Sequence, residues 1–275
     1  MSGEVRLDQH LVREGQARSR TLAQRLIRSG AVSVDGAVVR KASYAVTPSS
    51  AIVVTDAADA RWVGRGALKL QHALTTWGPR GGTEPGLTVE GRRCLDVGAS
   101  TGGFTQVLLE HGAAHVTALD VGTGQLAPDL AGHPCVTELS GTNIRDVTAD
   151  QIGRFDVVVG DVSFISLRLV LPVVAHLVRA DADVVFLVKP QFEVGRAALG
   201  RGGVVGSAGE RARVLREVVA TAHGLGWTGF GLDRSPVTGT HGNTEYLLWL
   251  ASERPGMMRA DGIPARIRDI TREDD

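Results

Sequence analysis

The first candidates for chemistry in this 275-residue chain are the charged residues that end apolar runs. Asp96 lies in Cys94–Val97, just before Gly98. Asp120 closes His115–Leu119, Asp161 closes Phe155–Gly160, and Lys189 follows Asp183–Val188. Short apolar runs of this kind read as buried parallel strands. After the first comes the turn Gly98-Ala99-Ser100-Thr101-Gly102-Gly103. Phe104, Val107 and Leu108 then give a helical face that stops at Gly112. Asp120 lies 22 positions after Gly98, close to the ~20 expected of a carboxylate that binds an adenosine ribose. Three readings of the turn compete. A dinucleotide fingerprint needs glycine where Ser100 stands, so a ligand with adenosine and no pyrophosphate fits better. Gly98 to Gly102 also spells G-x-S-x-G, a hydrolase nucleophile elbow, with His223 and His241 available downstream. The third reading is a glycine turn that serves only a tight strand–helix corner.

The elements that must position these residues follow from the pattern. Lys69 falls on a helix continuing through Leu70, Ala73 and Leu74, and Gly78 to Gly86 reads as a flexible surface loop. A further helix is expected to start from Gly122–Leu126, and Cys135–Thr137 is a third strand. Helices are expected over Ser166–Val178 and Ser207–Leu225, with a glycine-rich loop, Gly195–Gly206, before the second. Strands near Trp227–Leu232 and Glu245–Leu250 close the sheet, and the last 23 residues are polar and expected to fray. Five alternations of strand and helix, then a closely joined pair, predict an α/β fold: a mostly parallel, Rossmann-like sheet with an antiparallel edge. Ligands of such sheets sit outside the carboxyl ends of the strands, where Asp96, Gly98, Asp120, Asp161 and Lys189 fall.

Residues 1–60 read as a separate, small α+β unit. Leu7, Leu11 and Val12 share one helical face. Ser19 caps a helix over Arg20–Ser29 that Gly30 ends, and Val32–Val39 alternates about an Asp35-Gly36 turn. From Arg13 to Lys41 there are seven basic residues against two acidic ones, a local charge of +5 in a chain of formal net charge zero. A charged face is often only solvated; on a helix-to-hairpin frame it can also track phosphates. Residues 61–66 form a linker containing Trp62, which either packs on the second domain or couples the two, and residues 67–275 form the large domain.

Composition sets further bounds. An apolar content of 43% supports a core. Cys94 and Cys135 look like small core residues, and no Cys/His spacing suggests a metal. The charged N-terminus lacks a secretory pattern and no 18-residue apolar run is present, so a cytoplasmic protein without membrane partners is expected.

Three resemblances sharpen the reading. The pattern Asp96-x-Gly98-x-x-x-Gly102-x-Phe104 plus Asp120 resembles the first two motifs of S-adenosylmethionine (SAM) methyltransferases. The stretch RLDQHLVREGQARSRTLAQRLIRSGAVSVDGAVVRKASYAV is similar to the RNA-binding domain named for ribosomal protein S-four. The large domain resembles the FtsJ-like RNA ribose 2′-O-methyltransferases, whose Lys-Asp-Lys-Glu tetrad would fall on Lys69, Asp161, Lys189 and Glu245. Taken together, with ASTGGFT and VKPQFEVG, the chain is identified as a member of the TlyA family. Gly64 departs from it, standing where related sequences carry Ser.

This resemblance implies SAM as cofactor, no metal, and cytidine of 16S and 23S ribosomal RNA within ribosomal subunits as substrate. It implies cofactor contacts from Asp96, Gly98, Ala99, Ser100, Thr101, Gly102, Phe104, Asp120 and Asn143. RNA contacts would come from Arg6, Arg18, Arg20, Arg25, Lys41 and Arg65. Lys189 is the expected proton acceptor. Two rivals are a non-catalytic RNA-binding factor and a membrane-lytic protein, the latter because some relatives carry a haemolysin label.

Overall fold

Asp120, Asp161 and Lys189 lie at or just past the ends of strands of one sheet, so its topology brings them to one edge. The computed structural model describes residues 4–17, 19–54, 62–79, 86–195, 199–239, 242–253 and 257–272. Its contacts divide the chain into two units, Met1–Arg65 and Gly66–Asp275.

In the first unit, β1 (Val5–Arg6) leads into α1 (Leu7–Arg13), followed by α2 (Arg20–Ser29). Ser19 Oγ accepts from Leu22 N, and Gly30 ends α2 in the left-handed region, as the sequence predicts. β2 (Val32–Val34) turns through Asp35-Gly36 into β3 (Ala37–Val38); β4 (Ala45–Val46) and β5 (Ile52–Val54) follow. β3-β2-β5 form one small sheet, and β1 pairs with β4. Leu7, Leu11, Leu22, Leu26, Ile27, Val32 and Val34 fill the core between helices and strands.

The second unit opens with α3 (Ala67–Trp77), then β6 (Arg93–Val97), α4 (Gly103–Glu110) and β7 (His115–Asp120). The helix expected from Gly122 begins later and is short, α5 (Pro128–Ala131). Pro128 sits in its first turn, where a fixed φ helps start a helix, whereas Gly122 and Gly124 before it favour bends. β8 (Val136–Ser140), α6 (Ala149–Ile152), β9 (Phe155–Gly160), α7 (Leu167–Leu177), β10 (Val178–Val188) and α8 (Pro190–Glu193) come next. Cys135 stands half-buried just before β8. The chain then forms α9 (Ala208–Gly224), β11 (Gly229–Arg234), β12 (Tyr246–Ala251) and α10 (Ile263–Arg272).

The sheet order is β11-β12-β10-β9-β6-β7-β8. β6 through β10 pair in parallel, and β12 is antiparallel to both β10 and β11. From β6 the chain winds to β7 on one side and later returns to β9 on the other. The crevice at this reversal lies at the ends that carry Gly98 and Asp161. Gly98 is forced there: its φ is +80°, and an added Cβ would stand 3.1 Å from the Asp161 carbonyl oxygen.

The expectation that the last 23 residues fray is corrected. Ile263, Ile267 and Ile270 recur at helical spacing and join the main core as α10, with exposures of 3%, 0% and 3%. The polar residues around them line the outer face, so mean polarity concealed a narrow apolar stripe.

Candidate active site

Four side chains from four elements form one continuous ionic chain. Lys69, on α3, donates through Nζ to Glu245 Oε2 at 2.6 Å and to Asp161 Oδ2 at 3.0 Å. Asp161, just past β9, pairs through Oδ1 with Lys189 Nζ at 2.7 Å, and Lys189 donates to Ser163 Oγ at 2.9 Å. Lys189 follows β10 and Glu245 precedes β12, so neighbouring strands of the sheet deliver three of the four. Lys69, Lys189 and Glu245 are buried. An added Cβ at Gly239 would overlap the Glu245 carboxylate, so the loop before β12 needs glycine to let that carboxylate in.

Burial and charge oppose each other at Lys69. Burial would lower the Lys69 ammonium, but the charges of Asp161 and Glu245 outweigh it and raise it above its ordinary value. Burial likewise pushes Asp161 up, and Lys69 and Lys189 together hold it below the usual carboxylate range. Lys69 is therefore a fixed cation between two carboxylates. Among the described residues Lys189 touches a single carboxylate, which it shares with Lys69.

Around the glycine turn, Asp120 accepts from the Ser100 amide at 2.7 Å and from the Gly122 amide at 2.7 Å. This carboxylate gathers the turn after β6 and the turn after β7 at one wall of a shallow cleft. Ala99, Ser100, Gln125, Leu126, Glu138 and Ser140 help line it. Ser100 takes a left-handed φ of +49°, and its hydroxyl donates to Gln125 at 3.2 Å. That pairing gives the Ser100 hydroxyl an amide partner, and His223, one histidine of the hydrolase reading, lies beside Phe230; the other, His241, lies outside the described residues.

Asp96 is buried, taking the Thr105 hydroxyl at 2.6 Å on Oδ2, while its Oδ1 has no hydrogen-bond partner among the described residues. Burial pushes this carboxyl up to about 7, against the pull of Thr105, with the charges of Asp161 and Asp120 adding to the rise. Thr101 is exposed, while Gly102 and Phe104 are buried where α4 begins. Asn143 follows β8, and its side chain accepts from the Arg145 amide at 3.1 Å. Among the described residues, no group of three or more His, Cys, Asp or Glu could hold a metal ion.

Sequence reading missed several neighbours of the ionic chain. Glu193 accepts from Ser166 Oγ at 2.5 Å and from the Leu167 amide at 2.7 Å, tying the segment after β10 to that after β9. Gln191 donates to Glu245 Oε1 at 3.4 Å. Phe164 is 91% exposed with a left-handed φ of +63°, and its ring stands 5.0 Å from that of Phe192. An aromatic held exposed in a conformation that costs roughly 1–2 kcal/mol invites a functional explanation.

In the first unit, Arg6 and Arg20 both reach Asp8, and Lys41 and Arg65 are exposed. Arg18 and the Arg25 side chain lie outside the described residues.

Comparison with known proteins fits this site. The FtsJ-like methyltransferase family matches residues 62–252, and the S4 domain matches residues 5–52. The chain is 47% identical over 264 residues to the 16S/23S rRNA (cytidine-2′-O)-methyltransferase TlyA of Mycobacterium tuberculosis, with 96% of each chain covered. It is 34% identical over 245 residues to hemolysin A of Brachyspira hyodysenteriae, covering 88% of this chain and 98% of that one. A solved structure described as a hemolysin from Streptococcus thermophilus superposes with a TM-score of 0.74 at 34% identity, covering 100% of this chain and 96% of that one. No helix among the described residues is long and apolar enough to cross a membrane. With this ionic chain, this sheet order and these matches, the protein belongs to the TlyA family of FtsJ-like methyltransferases and carries an S4 domain at its N-terminal end.

Proposed function

We propose that this methyltransferase binds SAM at the turn after β6 and methylates the ribose 2′-hydroxyl of cytidine in 16S and 23S ribosomal RNA, working on ribosomal subunits in the cytoplasm. Residues 1–60 form the RNA-binding domain, 61–66 the linker and 67–275 the catalytic domain. The observation that carries the reading is the buried chain Glu245–Lys69–Asp161–Lys189 beside the glycine turn.

The residues present fit SAM. Asp120, at the end of β7, suits the ribose diol. The unpartnered Oδ1 of buried Asp96 suits the cationic end of the ligand, and Asn143, just past β8, is assigned to the adenosine side. Gly98 to Gly102 and Phe104 shape the turn that the ligand crosses. When bound, SAM supplies an electrophilic methyl group whose leaving group departs as a neutral thioether.

The protein must then place a weakly acidic hydroxyl in line and take its proton. Lys69, held as a cation, cannot accept one; it anchors Asp161 and Glu245. Lys189 is the proton acceptor, oriented by Asp161 and Ser163. Phe164 offers a stacking face for the target base or its neighbour. Mapping 2′-O-methyl groups on ribosomal RNA from cells with and without the protein tests the reading. A map with no protein-dependent ribose methyl would overturn it.

A further inference from the structure

The Asp8 carboxylate is fully buried, and among the described residues three side chains hydrogen-bond it, two of them cationic. Arg6 donates through Nε to Oδ1 at 2.9 Å and through Nη2 to Oδ2 at 3.0 Å. Arg20 Nη2 reaches the same Oδ2 at 3.2 Å, and Gln24 Nε2 reaches it at 2.9 Å. Arg6 hydrogen bonding, ahead of the opposing effect of burial, helps hold this carboxyl well below the usual range.

A buried charge needs a partner, and one arginine would neutralise it. The second leaves the cluster with a net positive charge. Both guanidinium groups stay open to solvent, with side-chain exposures of 44% for Arg6 and 55% for Arg20. Because both Nη2 atoms contact one oxygen, their separation cannot exceed the sum of the 3.0 and 3.2 Å contacts. Each guanidinium has five N–H donors. Arg6 directs Nε and Nη2, and Arg20 its Nη2, toward the carboxylate, which leaves further donors for a second anion. Two arginine forks at this spacing suit the oxygens of a single phosphodiester.

We propose that Arg6 and Arg20 bracket one backbone phosphate of RNA, and that Asp8 is the positioning residue that holds both forks ready for it. The proposal rests on the RNA-binding reading of residues 1–60. Arginines fixed before the encounter lose less rotamer freedom when the phosphate arrives, so a negative residue strengthens the binding of a polyanion.

That sign makes the test decisive. Asp8→Asn removes a negative charge, and long-range electrostatics alone would tighten RNA binding. Loss of pre-organisation should instead weaken it about tenfold and lower the salt slope by roughly 0.7–0.9, the share of one phosphate. The experiment measures binding of the full chain to purified 16S and 23S ribosomal RNA across a salt series, with thermal unfolding of each variant alongside. Arg6→Lys with Arg20→Lys keeps both charges but removes both forks, and should weaken binding by a similar factor even if Asp8→Asn fails to fold. Unchanged or tighter binding by a folded Asp8→Asn variant overturns the proposal, as does full affinity in the double lysine variant. A wild-type chain that binds RNA without salt dependence removes the underlying RNA-binding reading as well.

Discussion

Lys69 and Glu245 stand 176 positions apart in the chain, yet the Lys69 ammonium donates to the Glu245 carboxylate at 2.6 Å. That bond ties the first helix of the catalytic unit to the start of β12, with Asp161 on the other side of the same ammonium. Removing Lys69 leaves two carboxylates facing the space it filled. Lys69→Met should destabilise the fold by about 3–5 kcal/mol, the cost of breaking a buried pair by deleting one partner. Adding Glu245→Gln should restore a large part of that loss without restoring methyl transfer. Denaturant melts of the single and double variants check this; identical midpoints would mean the two charges are not coupled.

Lys189 carries a different expectation. In the proposed mechanism Lys189 acts on a proton and not on the ligand, so Lys189→Ala should leave SAM affinity close to wild type. Methyl transfer should fall by about 10²–10⁴-fold, the range for loss of a positioned general base. Lys189→Arg keeps the charge beside Asp161 but cannot accept a proton, and should not rescue the rate. Single-turnover transfer to ribosomal RNA, with calorimetry for SAM, separates the two effects. An active arginine variant would leave Lys189 only an electrostatic role and make Asp161 the next candidate.

Asp96 sets a pH dependence with a definite sign. Burial pushes its carboxyl to about 7 in the folded chain, against 3.8 as the ordinary value. Between those pH values the native state holds a proton that the unfolded state has lost, so stability falls as pH rises and levels off above about 7. The full fall is at most roughly 4 kcal/mol, and Asp96→Asn should abolish it. Lys69 and Asp161 do not produce this slope. Asp161, held low, contributes stability above its unfolded value and loses it only in acid; Lys69, held high, loses its contribution only in strong base. A cationic ligand should favour ionised Asp96, so SAM affinity should rise with pH up to about neutrality in the wild type and stay flat in Asp96→Asn. Calorimetry at about pH 6 and pH 8 measures both.

Much of this site could be read from the chain because its residues sit where patterns end. Asp120, Asp161 and Lys189 each mark the close of an apolar strand, Asp96 stands one residue inside the end of another, and the strand ends of an α/β sheet converge by topology. Lys69 and Glu245 carry no such local mark; only family resemblance pointed to them, since what joins them is a contact across the whole domain. Glu193, Gln191 and Ser163 escaped for the same reason. Their partners lie on other loops, and their side chains look like ordinary surface polarity in one dimension. The helix misplaced at Gly122 and the lost α10 show the limit of local averages. Two glycines delayed one helix, and three isoleucines outweighed a polar tail in the other.

Those isoleucines make α10 a load on the core. Ile267 is fully buried, and Arg266 beside it reaches Asp233 at 2.6 Å. Ile267→Ala should cost about 2–5 kcal/mol, whereas Ala265→Lys on the exposed face should change stability by less than about 0.5 kcal/mol. Thermal melts of the two variants give the comparison. Equal midpoints would return the C-terminal segment to the frayed state that its composition suggests.

Phe164 is the remaining residue whose placement calls for a partner. Its ring is exposed, its backbone is left-handed, and it stands one residue beyond Ser163, the hydroxyl that Lys189 contacts. Phe192, three residues after Lys189, supports it from the protein side. A nucleotide whose ribose reaches Lys189 would bring a base within range of that ring, and stacking of a base on an aromatic side chain is worth about 1–3 kcal/mol. Phe164→Ala should therefore reduce methylation of ribosomal RNA by a corresponding factor, with SAM affinity unchanged. Phe164→Trp, which keeps a flat face, should retain most of the activity. Stability separates this role from a packing role: a side chain this exposed should cost little when truncated, so the alanine variant should melt close to wild type. If Phe164→Ala methylates at the wild-type rate, the ring is no stacking platform, and the target base must be held by other residues around the site.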